Sequence, residues 1–78
     1  MRALVLLNVT SGQEVVIRDK LKKIPEVIDT FITFGDFDVV GIVSTENAKD
    51  LGQIVTSKIR RLEGVLKTIT LLEAFNDE

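Results

Sequence analysis

The sequence contains no cysteine and no histidine, and it has neither tryptophan nor tyrosine. Without cysteine or histidine there can be no disulfide, no thiol nucleophile and no zinc site built on those side chains. A Ser-His-Asp triad is excluded for the same reason. We therefore expect a binding protein rather than an enzyme, with no metal and no cofactor.

An excess of charge of one sign is also missing. The chain carries 10 Lys and Arg against 12 Asp and Glu, a net charge of -2, and its pI is near 5.1. This balance argues against nucleic acid as a direct partner. The apolar run at residues 3–7 is too short for a signal peptide or a membrane span. We expect a cytoplasmic protein that contacts neither nucleic acid nor membrane directly.

The chain is short but rich in apolar residues. Its 78 residues predict one domain, spanning 1–78, and a domain of this size buries only about 60–65% of its unfolded surface. Yet 45% of the residues are hydrophobic. The sequence thus carries more apolar surface than one small monomer can hide.

The first third of the chain predicts a strand followed by a helix. Residues 3–9 are apolar on both faces, a pattern typical of a central strand. Ser11 followed by Glu14 matches a capping box, which predicts a helix from there to about Lys23. Pro25 prevents the helix from continuing.

Two β-branched and aromatic segments come next, at residues 27–34 and 39–43. This composition predicts two strands of one hairpin. The turn between them is Phe34–Asp38, where Gly35 supplies the positive φ that a tight hairpin needs.

The rest of the chain predicts a second helix and a last strand. The helix is expected from about Asn47 to Leu62, with Gly64 at its C-terminal end. The strand covers residues 65–73, and residues 76–78 are expected to form a solvated tail.

The two halves of the chain repeat. Residues 20–28 match residues 58–66 at a spacing of 38 positions, and each half is strand, helix, strand. This order predicts an α+β, ferredoxin-like βαββαβ sandwich: a four-stranded antiparallel sheet with two helices on one face. The first and third strands, which are the most apolar, should be central. The basic residues Lys58, Arg60 and Arg61 are interpreted as a solvated face that offsets the helix dipole.

The helix-free face of this sheet should be apolar. Either Leu4 and Leu6 or Val5 and Leu7 must face outward. A typical monomer exposes an apolar patch of at most about 300–600 Å², and a tail of six residues cannot cover four strands. We therefore expect a symmetric dimer packed sheet to sheet.

Asp36 and Asp38 are the acidic pair on the hairpin turn. A hard-metal site usually needs more oxygen ligands than this turn offers. Alternate residues on an extended chain point to opposite faces, which disfavours a catalytic dyad. The better use is electrostatic, as a fixed carboxylate that receives the ammonium group of a ligand.

The βαββαβ order with Phe34–Asp38 at the central hairpin resembles the ligand-sensing RAM domain of Lrp/AsnC transcriptional regulators. So do the two helix exits, Lys22–Val27 and Arg60–Val65, and the final Thr68–Thr70. The resemblance covers essentially the whole chain. It departs at Phe37, where the family often has tyrosine.

The resemblance implies a function and a site. It implies dimers formed through the sheets, a higher oligomer such as an octamer or decamer, and a small amino acid bound between dimers. The ligand-binding residues that it implies are Gly35, Asp36, Asp38, Thr68 and Thr70. Full-length family members carry a helix-turn-helix domain before this one, whereas here Met1 leads directly into the first strand. We expect the stand-alone form, without a DNA-binding domain, which modulates a full-length Lrp/AsnC-type regulator.

Two other classes of protein remain open. An ACT-like amino-acid-binding domain shares the βαββαβ order and would hold its ligand near Gly12. A small ferredoxin-like enzyme is the third hypothesis. An acylphosphatase would need an anion-binding arginine loop after the first strand, and Thr10–Gly12 contains no arginine. Dimeric barrel oxygenases and isomerases usually use histidine, tryptophan or tyrosine, and the chain has none of these.

Overall fold

A computed structural model describes residues 1–74, so the predicted tail at residues 76–78 lies outside the described residues. The predicted βαββαβ order is confirmed. No helix within the described part of the chain is long and apolar enough to cross a membrane. The elements are β1 (Arg2–Val9), α1 (Glu14–Lys22), β2 (Val27–Ile32), β3 (Val39–Ser44), α2 (Ala48–Ile54), a π-helical turn (Val55–Ile59) and β4 (Val65–Leu72).

The four strands form one antiparallel sheet in the order β2-β3-β1-β4. The first and third strands are therefore central, as their apolar composition predicts. Leu7 of β1 lies opposite Val39 of β3 on one side and Thr68 of β4 on the other. This register fixes which side chains share a face of the sheet.

The core lies between the sheet and both helices. Alternate residues of β1, from Ala3 to Val9, are buried against Ile17 and Leu21 of α1 and Ile59 of the π turn. Burying each Leu, Ile or Val side chain contributes about 1.5–3 kcal/mol. Both helices thus cover the same face of the sheet, which confirms the predicted sandwich.

The capping box predicted at the start of α1 does not form. The helix begins at Glu14, and Gln13 occupies the N-cap position without a side-chain hydrogen bond. The chain leaves β1 through a turn in which the Gln13 N–H donates to the Thr10 carbonyl at 2.9 Å. Gly12 adopts a φ of 88° in this turn. Ser11 therefore lies outside the helix, too early in the chain to cap it.

The second helix begins as predicted but ends differently. The Asn47 side chain accepts a hydrogen bond from the Asp50 N–H at 2.8 Å, which caps α2. The predicted helix to Leu62 gives way after Ile54 to the π turn, closed by Arg60 N–H donating to the Val55 carbonyl at 2.9 Å. Val55 and Ile59 of this wider turn are both buried in the core.

The internal repeat survives in three dimensions. Two shallow clefts, of about 200 and 230 Å³, lie where each helix exit meets the following strand. The residues that line them are equivalent at the spacing of 38: Lys22, Val27, Ile28, Asp29 and Thr30 in one, and Arg60, Val65, Leu66, Lys67 and Thr68 in the other.

Candidate functional site

Residues 33–38 form the loop that joins β2 to β3, called here the hairpin loop. Thr33 closes it twice: its N–H donates to the Asp38 carbonyl at 2.9 Å, and its hydroxyl donates to the Phe37 carbonyl at 2.6 Å. Gly35 adopts a φ of 122° between them, a conformation that side chains disfavour. The positive φ predicted for Gly35 is confirmed.

The hairpin loop is fastened to the end of β1. The Asp38 N–H donates to the Leu7 carbonyl at 2.8 Å, and the Asp38 carboxylate accepts from the Val9 N–H at 2.9 Å. The Asn8 side-chain amide donates to the Asp36 carbonyl at 2.8 Å. The Asp38 carboxylate is therefore engaged in holding the fold.

The Asp36 side chain, in contrast, is exposed. Within residues 1–74 its carboxylate has no ion-pair or hydrogen-bond partner, and the N–H groups of Gly35, Asp36 and Phe37 have no acceptor. In the same part of the chain no group of three side chains could hold a metal ion. The loop can thus accept a hydrogen bond from an ammonium group and donate to a carboxylate.

The two predicted threonines lie elsewhere in the molecule. Thr68 and Thr70 alternate on the helix-facing side of β4, opposite Leu7 and Val5 of β1. The Thr68 hydroxyl accepts from the Arg60 guanidinium at 3.0 Å. Because β1 lies between β4 and β3, β4 is roughly 9–10 Å from β3. Gly35, Asp36 and Asp38 are therefore brought together, and the threonines do not join them in the same chain.

The helix-free face of the sheet, called here the open face, is apolar as predicted. The register assigns Leu4 and Leu6, rather than Val5 and Leu7, to this face. Leu71, which pairs with Leu4, is 51% exposed. The apolar residues of the open face are Leu4, Leu6, Phe31, Val40, Ile42, Ile69 and Leu71.

The family model of the Lrp/AsnC ligand binding domain matches residues 2–73. The chain belongs to this family. The resemblance inferred from the hairpin turn and the two helix exits is therefore confirmed.

Three comparisons illustrate the relationship of this Lrp/AsnC domain to other proteins. The HTH-type transcriptional regulator FL11 of Pyrococcus furiosus is 31% identical over 70 residues, 90% of this chain and 46% of its own length. The chain spans less than half the length of the curated relatives that it matches. The hypothetical protein PHS023 from Pyrococcus horikoshii superposes with a TM-score of 0.89 at 31% identity, covering 96% of this chain and 90% of its own.

The third similar protein resembles this chain in fold alone. A Neisseria meningitidis transcriptional regulator, solved as a complex with L-Met, superposes with a TM-score of 0.77 at 16% identity. The match covers 97% of this chain and 52% of that one.

Arg60 is a residue of this Lrp/AsnC domain whose role the sequence did not reveal. It is exposed, as expected for a solvated basic face, and its guanidinium also donates a hydrogen bond to the Thr68 hydroxyl. The internal repeat could have indicated that Arg60 lies near Thr68, because these two residues correspond to Lys22 and Thr30, which line the equivalent cleft in the first half.

Arg60 also lines a groove of about 280 Å³ between α2, the π turn and β4, called here the α2–β4 groove. Leu51, Val55 and Leu72 supply apolar lining, and Thr70 lies along its strand side. The groove is on the helix-covered side of the sheet, away from the open face. The threonines and Arg60 therefore form a second candidate surface, separate from the hairpin loop.

Proposed function

We propose that this Lrp/AsnC domain is a cytoplasmic effector sensor that binds a small amino acid at the hairpin loop and assembles into oligomers. It acts by binding and not by catalysis. The observation that carries the proposal is that one turn presents both an Asp36 carboxylate and three backbone N–H groups that have no partner among residues 1–74. An amino acid offers the complementary ammonium and carboxylate.

Of the two loop aspartates, Asp36 receives the ligand. Asp38 already accepts the Val9 N–H at 2.9 Å and anchors the loop, so it orients the site indirectly. A charge-assisted hydrogen bond from an ammonium to Asp36 contributes about 1.5–3 kcal/mol. The amides of Gly35, Asp36 and Phe37 bind the ligand carboxylate.

A second copy of the chain completes the site. The loop is exposed, and an ion pair open to water contributes only about 0–1 kcal/mol. Thr70, whose hydroxyl has no partner within the described residues, and Thr68 line the site from the neighbouring copy. Binding and assembly are then linked, so the effector changes the oligomer distribution.

The basic unit of the assembly is a dimer formed through the open face. Seven apolar residues lie on that face, and burying them against a twofold-related copy removes them from water. Dimers associate further into an octamer or decamer, with the hairpin loops between them.

The regulatory partner is a full-length Lrp/AsnC-type regulator. FL11, a transcriptional regulator, is about twice as long as the segment that matches this chain. A chain with the same assembly surfaces can join or compete with the oligomers of such a regulator. The effector then modulates transcription through the composition of those oligomers.

Isothermal titration calorimetry with the common amino acids tests the ligand proposal. L-methionine is included because the Neisseria regulator was solved with it. We expect at least one amino acid to bind the wild type and binding to be lost in Asp36→Ala. Asp19→Ala, which removes an exposed aspartate from α1, is the matched control and should bind normally.

Two results would count against this site. If binding survives Asp36→Ala unchanged, the ligand lies elsewhere, and the turn at Gly12 expected of an ACT-like domain is the next place to examine. If none of the amino acids binds, effector sensing is wrong and a role in assembly alone remains.

A further inference from the structure

The internal repeat gives the molecule two equivalent corners, where each helix exit meets the end of a central strand. At the first corner the Ser44 N–H donates to the Glu26 carbonyl at 2.9 Å. At the second corner the Thr10 N–H donates to the Gly64 carbonyl at 2.8 Å. Glu26 and Gly64 occupy the same position of the repeat, 38 residues apart. The two corners can therefore be compared residue by residue.

The first corner is closed by an ion pair that the second corner does not form. Lys58 Nζ lies 3.4 Å from Glu26 Oε1. Lys58 corresponds to Lys20 in the first half, so the equivalent contact at the second corner would join Lys20 to residue 64. That residue is a glycine, and Lys20 has no carboxylate partner within residues 1–74. The second corner thus keeps the cation of the pair without its anion.

A cleft of about 350 Å³ lies at the second corner and is called here the Lys20 cleft. The Gly64 φ of 101° favours glycine, so the turn itself accounts for the missing side chain. Among the described residues, the side chains that line the cleft have no hydrogen-bond or ion-pair partner. The lining residues are Thr10, Gln13, Lys20, Glu63 and Gly64.

The charges of the Lys20 cleft select its ligand. At the first corner the group that faces the lysine is a carboxylate, and a carboxylate suits Lys20 for the same reason. Glu63 lines the cleft as well, and its negative charge disfavours a second charge on the ligand, as in phosphate or a dicarboxylate. An ammonium group next to the ligand carboxylate would be repelled by Lys20. A hydroxyl group avoids that repulsion and can donate to Glu63.

We propose that the Lys20 cleft binds a small hydroxycarboxylate. Its carboxylate faces Lys20 as the Glu26 carboxylate faces Lys58, and its hydroxyl group donates to Glu63. The cleft shares no lining residue with the hairpin loop and lies within one copy of the chain. The inference goes beyond the proposed function, because it concerns a second site with a ligand of a different chemical class.

Nuclear magnetic resonance of the ¹⁵N-labelled protein, titrated with L-lactate at constant ionic strength, tests the site. Lactate carries both groups that the cleft requires. We expect the amide signals of Thr10, Gln13 and Gly64 to shift, whereas those of Gly35 and Asp36 should not. Lactamide, which lacks the charge, and L-alanine, which has an ammonium in place of the hydroxyl, are the matched control ligands. Neither should shift the signals around the cleft.

Three variants test the role of the lysine. Lys20→Gln should weaken lactate binding by about tenfold or more, because it removes a charge-assisted hydrogen bond. Lys20→Arg keeps the positive charge and should retain binding. Lys23→Gln removes a neighbouring exposed cation that does not line the cleft, and it should bind lactate as the wild type does. Both lysines are exposed, and the spectrum of each variant reports directly on its fold.

Three results would overturn this site: no lactate-dependent shift around the cleft, equal shifts with lactamide or alanine, or unchanged lactate binding to Lys20→Gln. The amino-acid site at the hairpin loop is tested independently by calorimetry. If lactate binds the wild type and Asp36→Ala equally while no amino acid binds the wild type, the effector site is rejected and the Lys20 cleft is retained.

Discussion

At the scale of single residues, two aspartates two positions apart have different roles. Asp38 accepts the Val9 N–H and so joins the hairpin loop to a strand 29 residues earlier in the chain. Asp36 has no partner for its carboxylate among the described residues. The sequence predicted the turn and its acidic character, because local turn chemistry is sufficient for that. It could not separate the two roles, since the pairing with Val9 depends on how β1 and β3 align.

We expect Asp38→Ala to destabilise the fold by about 1.5–3 kcal/mol, because it removes a charged acceptor from a partly buried N–H. Urea denaturation at fixed protein concentration measures this change. Asp36→Ala is the matched control and should lie within about 0.5 kcal/mol of the wild type. Equal midpoints for the two variants would show that the contact of Asp38 with β1 does not stabilise the loop.

A second prediction at this scale concerns Gly35, whose φ is 122°. Alanine at this position strains the backbone, and we expect a loss of about 1–3 kcal/mol in the free energy of unfolding. Gly52→Ala is the comparison, because Gly52 lies inside α2 with no atoms within 4 Å of an added Cβ. That substitution should stabilise the protein by about 0.4–1 kcal/mol. If thermal unfolding shows that Gly35→Ala raises the Tm as Gly52→Ala does, the assignment of strain to Gly35 is contradicted.

At the scale of elements, strands were predicted better than helix ends. The apolar composition of β1 and β3 was sufficient to place both at the centre of the sheet, because a central strand is flanked by other strands at both of its edges, whereas an edge strand is open to water on one side. Two predicted helix ends were wrong, at the start of α1 and at the end of α2. The capping box predicted at Ser11 does not form, because the chain makes a turn at Gly12 before α1 begins. The helix predicted to reach Leu62 changes to a π turn over the core after Ile54.

The two helix starts give a matched pair of substitutions. Asn47 caps α2 through a 2.8 Å hydrogen bond, and we expect Asn47→Ala to cost about 0.5–2 kcal/mol. Ser11 lies outside α1 and caps nothing, so Ser11→Ala should change the free energy of unfolding by less than about 0.5 kcal/mol. Chemical denaturation followed by circular dichroism compares them. A larger loss for Ser11→Ala would mean that the capping box forms in solution after all.

At the scale of the whole molecule, the open face and the α2–β4 groove lie on opposite sides of the sheet. The excess of apolar residues in a 78-residue chain predicted that one face would remain uncovered, and the register identified it. The groove could not be predicted, because it depends on the π turn and on the position of the exposed Arg60 side chain beside β4. Since the two surfaces do not overlap, a sheet-to-sheet dimer leaves the groove accessible.

The dimer itself is tested at Leu6, at the centre of the open face, where it lies between Val40 of β3 and Ile69 of β4. Leu6→Lys places an ammonium where two sheets would meet, and burying an unpaired charge costs several kcal/mol. We expect sedimentation velocity at micromolar concentration to give a dimer or larger form for the wild type and a monomer for Leu6→Lys. Val15→Lys adds the same charge to the exposed surface of α1 and should leave the assembly intact.

A soluble wild-type monomer, or a Leu6→Lys variant that sediments with the wild type, would reject the open face as the dimer interface. A wild-type dimer with a monomeric Leu6→Lys variant would instead show that the excess apolar composition of this small domain serves its self-association.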